Sequence, residues 1–344
     1  MTWTAQAAQR ALAILENRSL PSLQLLDVPS VAAQYYPHLD PGQPAVLLGP
    51  IEGKQLGRLA RCLAQAYPQA HCVALCSANT CRWFALADLA EAHDDADFLF
   101  LPPLPRPASF EALQDVIAHL RAPEGCPWDR ALTWAKLRST LLEESYELLS
   151  ALDAGDELKV AEELGDLLLQ IAMQTQIAAE EDRFRLPDVI EHVVRKLIRR
   201  HPHVFGDIAV SGTDEVLANW EAIKRAERAN NGGEQSPLSG VPAGLPALAQ
   251  ADAYQERISR LKPVEAANGP GVIQSSPETG DPGIEAPWTT LAELPEGNAA
   301  TPELLGEALF RLVAWARARG LDAESALRET NARFAARIAA EGKE

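Results

Sequence analysis

Two sets of acidic residues repeat one spacing: Glu143, Glu144 and Glu147, then Glu162, Glu163 and Asp166, within LLEESYELLSALDAGDELKVAEELGD. On a helix the third acid of each set lies about 40° from the first and about 60° from the second, so each trio shares one face. The second trio sits inside VAEELGDLLLQIAMQ, whose other residues are almost all apolar. Carboxylates gathered in such a setting are unfavourable unless protons or cations compensate them. A cluster of hard oxygen ligands with no Cys or His among them suits Mg²⁺, or Mn²⁺, over zinc. A solvated acidic helix face is the competing reading for one trio alone; two matched trios amid Leu and Ile weigh against it.

Positioning the trios requires two helices and a turn. Gly155 suits the end of the first helix and Asp156 the N-cap of the second, which predicts an antiparallel hairpin bringing the two acidic faces together. Upstream, SFEALQDVIAHLRAPEGCPWDR starts with Ser109 as an N-cap and carries apolar residues at Phe110, Leu113, Val116, Ile117 and Leu120, a helix ending near Pro123. Downstream, a helix beginning near Pro187 stops before Pro202, and its Arg195, Lys196, Arg199 and Arg200 form a local positive patch suited to a triphosphate. His201 and His203 flank a proline and read as loop structure. The helix DEVLANWEAIKRAER follows, with Leu217, Trp220 and Ile223 spaced as an inward stripe.

EE-x-x-E followed by E-x-x-D on the next helix resembles the metal motif of the MazG family of nucleoside triphosphate pyrophosphohydrolases. The likeness runs over residues 102–228, from LPPLPRPASFEALQDVIAHLRAPEGCPWDR through the hairpin to KLIRRHPHVFGD and VLANWEAIKRAER. Four separated signatures in order make it specific. The resemblance implies an all-α helical-hairpin and four-helix-bundle module, usually assembled as a homodimer, that cuts nucleoside triphosphates to monophosphate and pyrophosphate with Mg²⁺. It implies metal ligands at Glu144, Glu147, Glu163 and Asp166, with Glu143 and Glu162 as supporting groups, ligands of another ion, or the base that prepares water. It implies nucleotide contacts at Thr140, Lys159, Glu162, Lys196 and Trp220; for Trp220, packing and nucleotide contact are equally open. Lys159 precedes Glu163 by four residues and so can reach phosphate beside the metals. In the family CPWD is usually followed by Gln-Thr-His, where this chain has Leu132-Thr133-Trp134; Trp128 and Trp134 could stack on a base, with core packing the expectation.

The chain has 344 residues, 47% hydrophobic, enough for a sizeable core in roughly two or three domains. A net charge of −17 and a pI near 4.9 argue against a sequence-independent grip on nucleic acid, which needs a basic footprint. No stretch approaches ~18 uninterrupted apolar residues and the N-terminus lacks the pattern of a signal peptide, so a cytoplasmic protein with no membrane partner is expected. Five cysteines, four of them between residues 62 and 81, do not make a disulfide framework. Structural thiols are the expectation, over a zinc site from His71, Cys72, Cys76 and Cys81.

Residues 1–105 read as a small α/β domain, with strands at PAVLLGPIEG, HCVALCSA and DFLFLPPLP and a helix at KQLGRLARCLAQAYP. The turn from Gly49 to Gln55 fails as a phosphate loop, with too few residues between glycines and Gln55 where a Ser or Thr belongs. LQLLDVPSVAA and LPPLPR resemble the C-terminal remnant of a tetrapyrrole methylase domain, which implies a scaffold without methyltransferase activity. Residues 106–228 are the catalytic module and 229–246 a linker. Residues 247–344 read as a degenerate second helical module with a flexible insert at 263–300; Leu304 stands where the first module has Glu163, so this module is expected to be silent. The competing functions are a non-catalytic nucleotide-binding or assembly protein and a dUTPase-like all-α pyrophosphatase.

Overall fold

A computed structural model describes residues 22–77, 80–92, 95–230, 238, 241–259 and 301–341. The insert at 263–300 lies outside the described residues. The described residues are mainly α-helical with one small sheet, and the chain divides into two compact units, residues 1–191 and 192–344.

Among the described residues, the first unit begins with β1 (Gln24–Asp27), the short α1 (Val28–Ala32), β2 (Ala45–Ile51), α2 (Gly53–Leu63), β3 (Cys72–Ser77), β4 (Thr80–Ala85), a 3₁₀ turn (Leu86–Glu91) and β5 (Ala96–Leu101). The sheet order is β1-β2-β5-β3-β4, with β1 parallel to β2 and the other pairs antiparallel. Alternation splits β2: Ala45 and Leu47 join one core with Leu56, Leu59 and Leu63 of α2, while Val46 and Leu48 join Phe98 and Phe100 on the opposite face. The three expected strands and the helix are present; β1 and β4 are additional. Gln55 accepts a bond from the Glu52 amide at 3.0 Å, and Asp95 takes the Gly53 amide at 3.1 Å, so these side chains serve the start of α2.

The expectation of free thiols needs correcting at two positions. Strand register sets Cys76 directly opposite Cys81, and the two are joined as a disulfide; Cys62, Cys72 and Cys126 are free. That removes two of the four residues weighed for zinc, and His71 Nε2 lies 3.0 Å from the Pro102 carbonyl.

Helices take over after the proline-rich connector: α3 (Phe110–Arg121), α4 (Pro127–Arg130), α5 (Trp134–Ala154) and α6 (Glu157–Glu180). Ser109 caps α3 by accepting from the Ala112 amide at 3.1 Å. Ile117 of α3 and Leu137 of α5 pack with Ala172, Met173 and Ile177 of α6. Arg121, with a side chain only 6% exposed, donates to both carboxylate oxygens of Glu180 at 2.8 and 2.7 Å, and Gln114 donates to Gln176 at 2.9 Å. This clamp fixes α3 to the far end of the hairpin.

Trp128 and Trp134 depart from the expected core packing. The four-residue α4 turns Asp129 inward, leaving Trp128 71% exposed. Trp134 is 37% exposed; its indole donates to the Gln174 carbonyl at 3.2 Å and lies against Phe184 and the Arg183 guanidinium. A tryptophan at the start of α5 can tie the chain ends of the hairpin this way while its other edge faces water.

Helix α7 (Leu186–Arg200) spans the boundary between the units. The second unit contains its last part, then α8 (Pro202–Phe205), α9 (Thr213–Asn230), α10 (Ala247–Ser259), α11 (Pro302–Arg317) and α12 (Ala323–Glu341). Helices α10, α11 and α12 pack on one another, with Arg317 bonded to Asp252 at 3.1 and 3.2 Å. Glu227 of α9 accepts from Arg199 and Arg200 of α7 at 2.7 Å each, and these guanidiniums hold its carboxyl down at about 2 from the ordinary 4.5. A depressed carboxylate contributes stability above its unfolded pKa, and the contribution disappears as pH falls through the folded value. Denaturant titrations between pH 5 and pH 2 should therefore show a steeper loss of stability in wild type than in Glu227→Gln. At pH 7 that variant should be less stable by about 1–2 kcal/mol. Parallel curves for the two proteins would refute the clasp.

Candidate active site

The hairpin is closed by local signals. Thr133 caps α5, accepting from the Lys136 amide at 3.4 Å; Gly155 ends it with φ 67°, in the left-handed region that suits glycine; Asp156 starts α6 by accepting from the Lys159 amide at 3.1 Å. Both turn residues act as their types require.

Seven residues make nearly two helical turns, so a seven-residue step stays on one face. On α6 the sevens are Glu163, Gln170 and Ile177, which are 1%, 4% and 4% exposed. On α5 they are Leu137, Glu144 and Ala151, of which Leu137 and Ala151 are 4% exposed and Glu144 is half-buried. Glu163 and Glu144 thus occupy core positions of the seam between the two helices. Oxygens of Glu144, Glu163 and Asp166 lie within 4.8 Å of one another. Glu147, on the next turn of α5, stands outside this trio and is exposed, as are Glu143 and Glu162.

Burial in this like-charged company disfavours ionisation. The Glu144 carboxyl is pushed above the usual carboxylate range, first by desolvation and then by the charges of Asp166, Glu147, Glu163 and Glu143. Neither oxygen of Glu163 has a hydrogen-bond partner of proper geometry, although Lys159 Nζ stands 2.6 Å from Oε1 as an ion pair. The short separation makes the ion pair the better description of Oε1, and Oε2 remains bare. Lys159 also lies 3.2 Å from Glu162, and both acids raise its own pKa, Glu163 more strongly. Carboxylate oxygens converging from two helices, with Glu163 Oε2 buried and bare among them, fit a hard divalent cation.

Thr140 is half-buried on α5, one turn before Glu144. Lys196 and Trp220 belong to the second unit, on α7 and α9. There Trp220 is half-buried, with Lys224 Nζ 4.1 Å and Arg200 Cζ 5.7 Å from its ring centroid. Two members of the basic patch, Arg199 and Arg200, are engaged by Glu227. Sequence reasoning missed the Arg121–Glu180 clamp and the Trp134 contacts, because their partners lie 59 and 40 residues away with no local pattern to join them. The acidic spacing alone set Glu162 beside Glu163, and only the resemblance separated ligand from supporting group; the seven-residue spacing from Glu163 to Gln170 and Ile177 was the available signal that Glu163 is the buried one.

Residues 132–205 match the model of the MazG nucleotide pyrophosphohydrolase domain. The uncharacterised protein YabN of Bacillus subtilis (strain 168) is 43% identical over 162 residues, 46% of this chain and 33% of that protein. The chain therefore spans a third of that relative's length. The nucleoside triphosphate pyrophosphohydrolase of Escherichia coli (strain K12) is 38% identical over 229 residues, 66% of this chain and 85% of that enzyme. The nucleoside triphosphate pyrophosphohydrolase/pyrophosphatase MazG of Thermotoga maritima is also 38% identical over 229 residues, 67% of this chain and 84% of that enzyme. With more than four-fifths of each of two named hydrolases matched at this identity, the chain belongs to the MazG family of nucleotide pyrophosphohydrolases.

Proposed function

We propose that this chain hydrolyses nucleoside triphosphates to the monophosphate and pyrophosphate, using Mg²⁺ or Mn²⁺ held by Glu144, Glu147, Glu163 and Asp166. The observation that carries the reading is the Glu163 carboxylate, 1% exposed, with Lys159 at one oxygen and no donor at the other, inside a convergent set of acids. Such a group is costly unless it serves a cation. A divalent ion bound there supplies charge for the phosphates and lowers the pKa of a neighbouring water.

The remaining work falls to side chains. Water attacks the α-phosphorus in line, the bond from that phosphorus to the bridging oxygen breaks, and pyrophosphate leaves with the electron pair. Glu143 and Glu162, exposed beside the buried set, are the carboxylates available to take the water's proton. Lys159, 45% exposed and already at the rim, reaches the phosphates, with Thr140 one turn from Glu144; Lys196 and Trp220 keep the nucleotide role that the resemblance implies for them. Positioning and electrostatics are most of what such a reaction demands.

A homodimer accounts for the apolar surface on the hairpin. Leu142, Tyr146 and Leu149 of α5 are 59%, 42% and 37% exposed, and Leu164, Leu168 and Ile171 of α6 are 48%, 40% and 41% exposed. Each trio follows i, i+4, i+7 spacing within about 60° of arc, the width of a helix-packing stripe. Two hairpins pairing through these stripes make a four-helix core. We also assign the helices after residue 246 a non-catalytic role in assembly; the acid following Gly306 there, Glu307, is paired with Arg311 at 3.2 Å.

The deciding assay is pyrophosphate release across ribo- and deoxynucleoside triphosphates with Mg²⁺, Mn²⁺ or chelator. Pyrophosphate and monophosphate should appear in equal amounts and stop on chelation. Orthophosphate alone would place cleavage at another bond. Nucleotide binding without turnover under any metal would make the protein a binding module.

A further inference from the structure

We propose that Lys159 is a built-in placeholder for the metal: its ammonium neutralises Glu163 in the metal-free protein and must leave before a divalent cation can load. The inference rests on the metal-site reading above and adds to it a competition that sets metal affinity. Glu163 is 1% exposed, and Lys159 Nζ, 2.6 Å from its Oε1, provides the one ion pair the carboxylate makes among the described residues. The lysine comes from one turn earlier on the same helix, so its reach is fixed by the backbone and independent of any partner.

Two cations cannot share that oxygen at contact distance without strong repulsion in a half-buried site. The ammonium has somewhere to go. Its side chain is 45% exposed, and Glu162, 63% exposed at 3.2 Å, offers a second acceptor toward solvent. Rotation about the lysine side chain exchanges the buried tie for a solvated one, so the ammonium can leave without being stranded in the core. Once released, the same ammonium is free to meet an incoming phosphate. The metal then frees the lysine for phosphate, and phosphate keeps the lysine from returning to Glu163. By linkage, each ligand favours the other.

The test is Mn²⁺ binding to the full chain without nucleotide, read by electron paramagnetic resonance of free Mn²⁺. Lys159→Met removes the competitor and should bind Mn²⁺ roughly tenfold more tightly than wild type. Lys159→Gln should shift affinity the same way, which guards against a fold defect in either variant, and Lys159→Arg should stay near wild type. Lys136→Met is the control for net charge: this lysine lies on the hairpin but donates to the Ala131 carbonyl at 2.8 Å. Its substitution should leave Mn²⁺ affinity within about twofold. Unchanged or weaker binding in folded Lys159→Met and Lys159→Gln overturns the placeholder while leaving the metal site standing. Equal tightening by Lys136→Met reduces the effect to bulk charge and also overturns it. No Mn²⁺ binding by any of these proteins removes the metal site itself, and the placeholder with it.

Discussion

Glu163→Gln should lower metal-dependent pyrophosphate release by ~10²–10³-fold or more and change folding stability by only about 1 kcal/mol. The two halves of the expectation have separate causes. Activity falls because an amide keeps the shape of the side chain but has no charge and one fewer oxygen acceptor. The site then loses its most buried anionic group, the one at the seam between α5 and α6. Stability changes little because the ion pair being broken is lopsided: Glu163 is buried, but Lys159 is 45% exposed and keeps both water and Glu162. Removing a buried charge relieves a desolvation cost, and its former partner is not left stranded in the core. Wild type should also gain melting temperature on adding Mg²⁺, since a ligand of the folded state stabilises by mass action, and the variant should gain much less. Turnover near wild type in Glu163→Gln would overturn the assignment of this residue; a collapse of the fold would mean that the carboxylate serves structure.

The hairpin was legible in the sequence because each of its parts is a local signal. Gly155 and Asp156 announce the turn and Ser109 the start of α3, and each performs that role in the structure. Which acids converge was only partly legible. Glu144, Glu163 and Asp166 form the close set because α5 and α6 meet along a seven-residue seam, a property of the pair of helices that neither trio reveals alone. The small sheet was read through its buried strands, β2, β3 and β5; β1 and β4 were missed. β4, TCRWFA, has no inward-facing residue as buried as those of β3, so alternation is weak. Its hairpin also determines that Cys76 faces Cys81, a pairing that cysteine counting cannot supply. Trp128 was misjudged because a large aromatic residue usually signals a core, whereas α4 is too short to have a buried face of its own and spends its inward position on Asp129.

Leu168→Asp should convert the protein from dimer to monomer, raising the dimer dissociation constant by ~10³-fold or more. Leu168 is the middle residue of the α6 stripe, between Leu164 and Ile171, and all three are at least 40% exposed in a single copy. The acids of α6 lie toward the opposite side, with Gln170, Met173 and Ile177, so the stripe can be altered without touching the ligand set. In a two-fold interface each substitution is present twice, and both aspartates would enter the same apolar layer. Burying even one unpaired carboxylate costs several kcal/mol, which exceeds what the remaining contacts of a stripe this size can offset. Leu158→Asp is the matched control. Leu158 is 86% exposed on the first turn of α6, about 120° around the helix from Leu164, so the same chemical change falls outside the stripe. Sedimentation velocity at micromolar concentration should give a dimer for wild type and Leu158→Asp and a monomer for Leu168→Asp, whose activity should fall as the second hairpin is lost. A wild-type monomer, or a Leu168→Asp protein that remains dimeric, would mean that these stripes are covered by something other than a second copy of the hairpin.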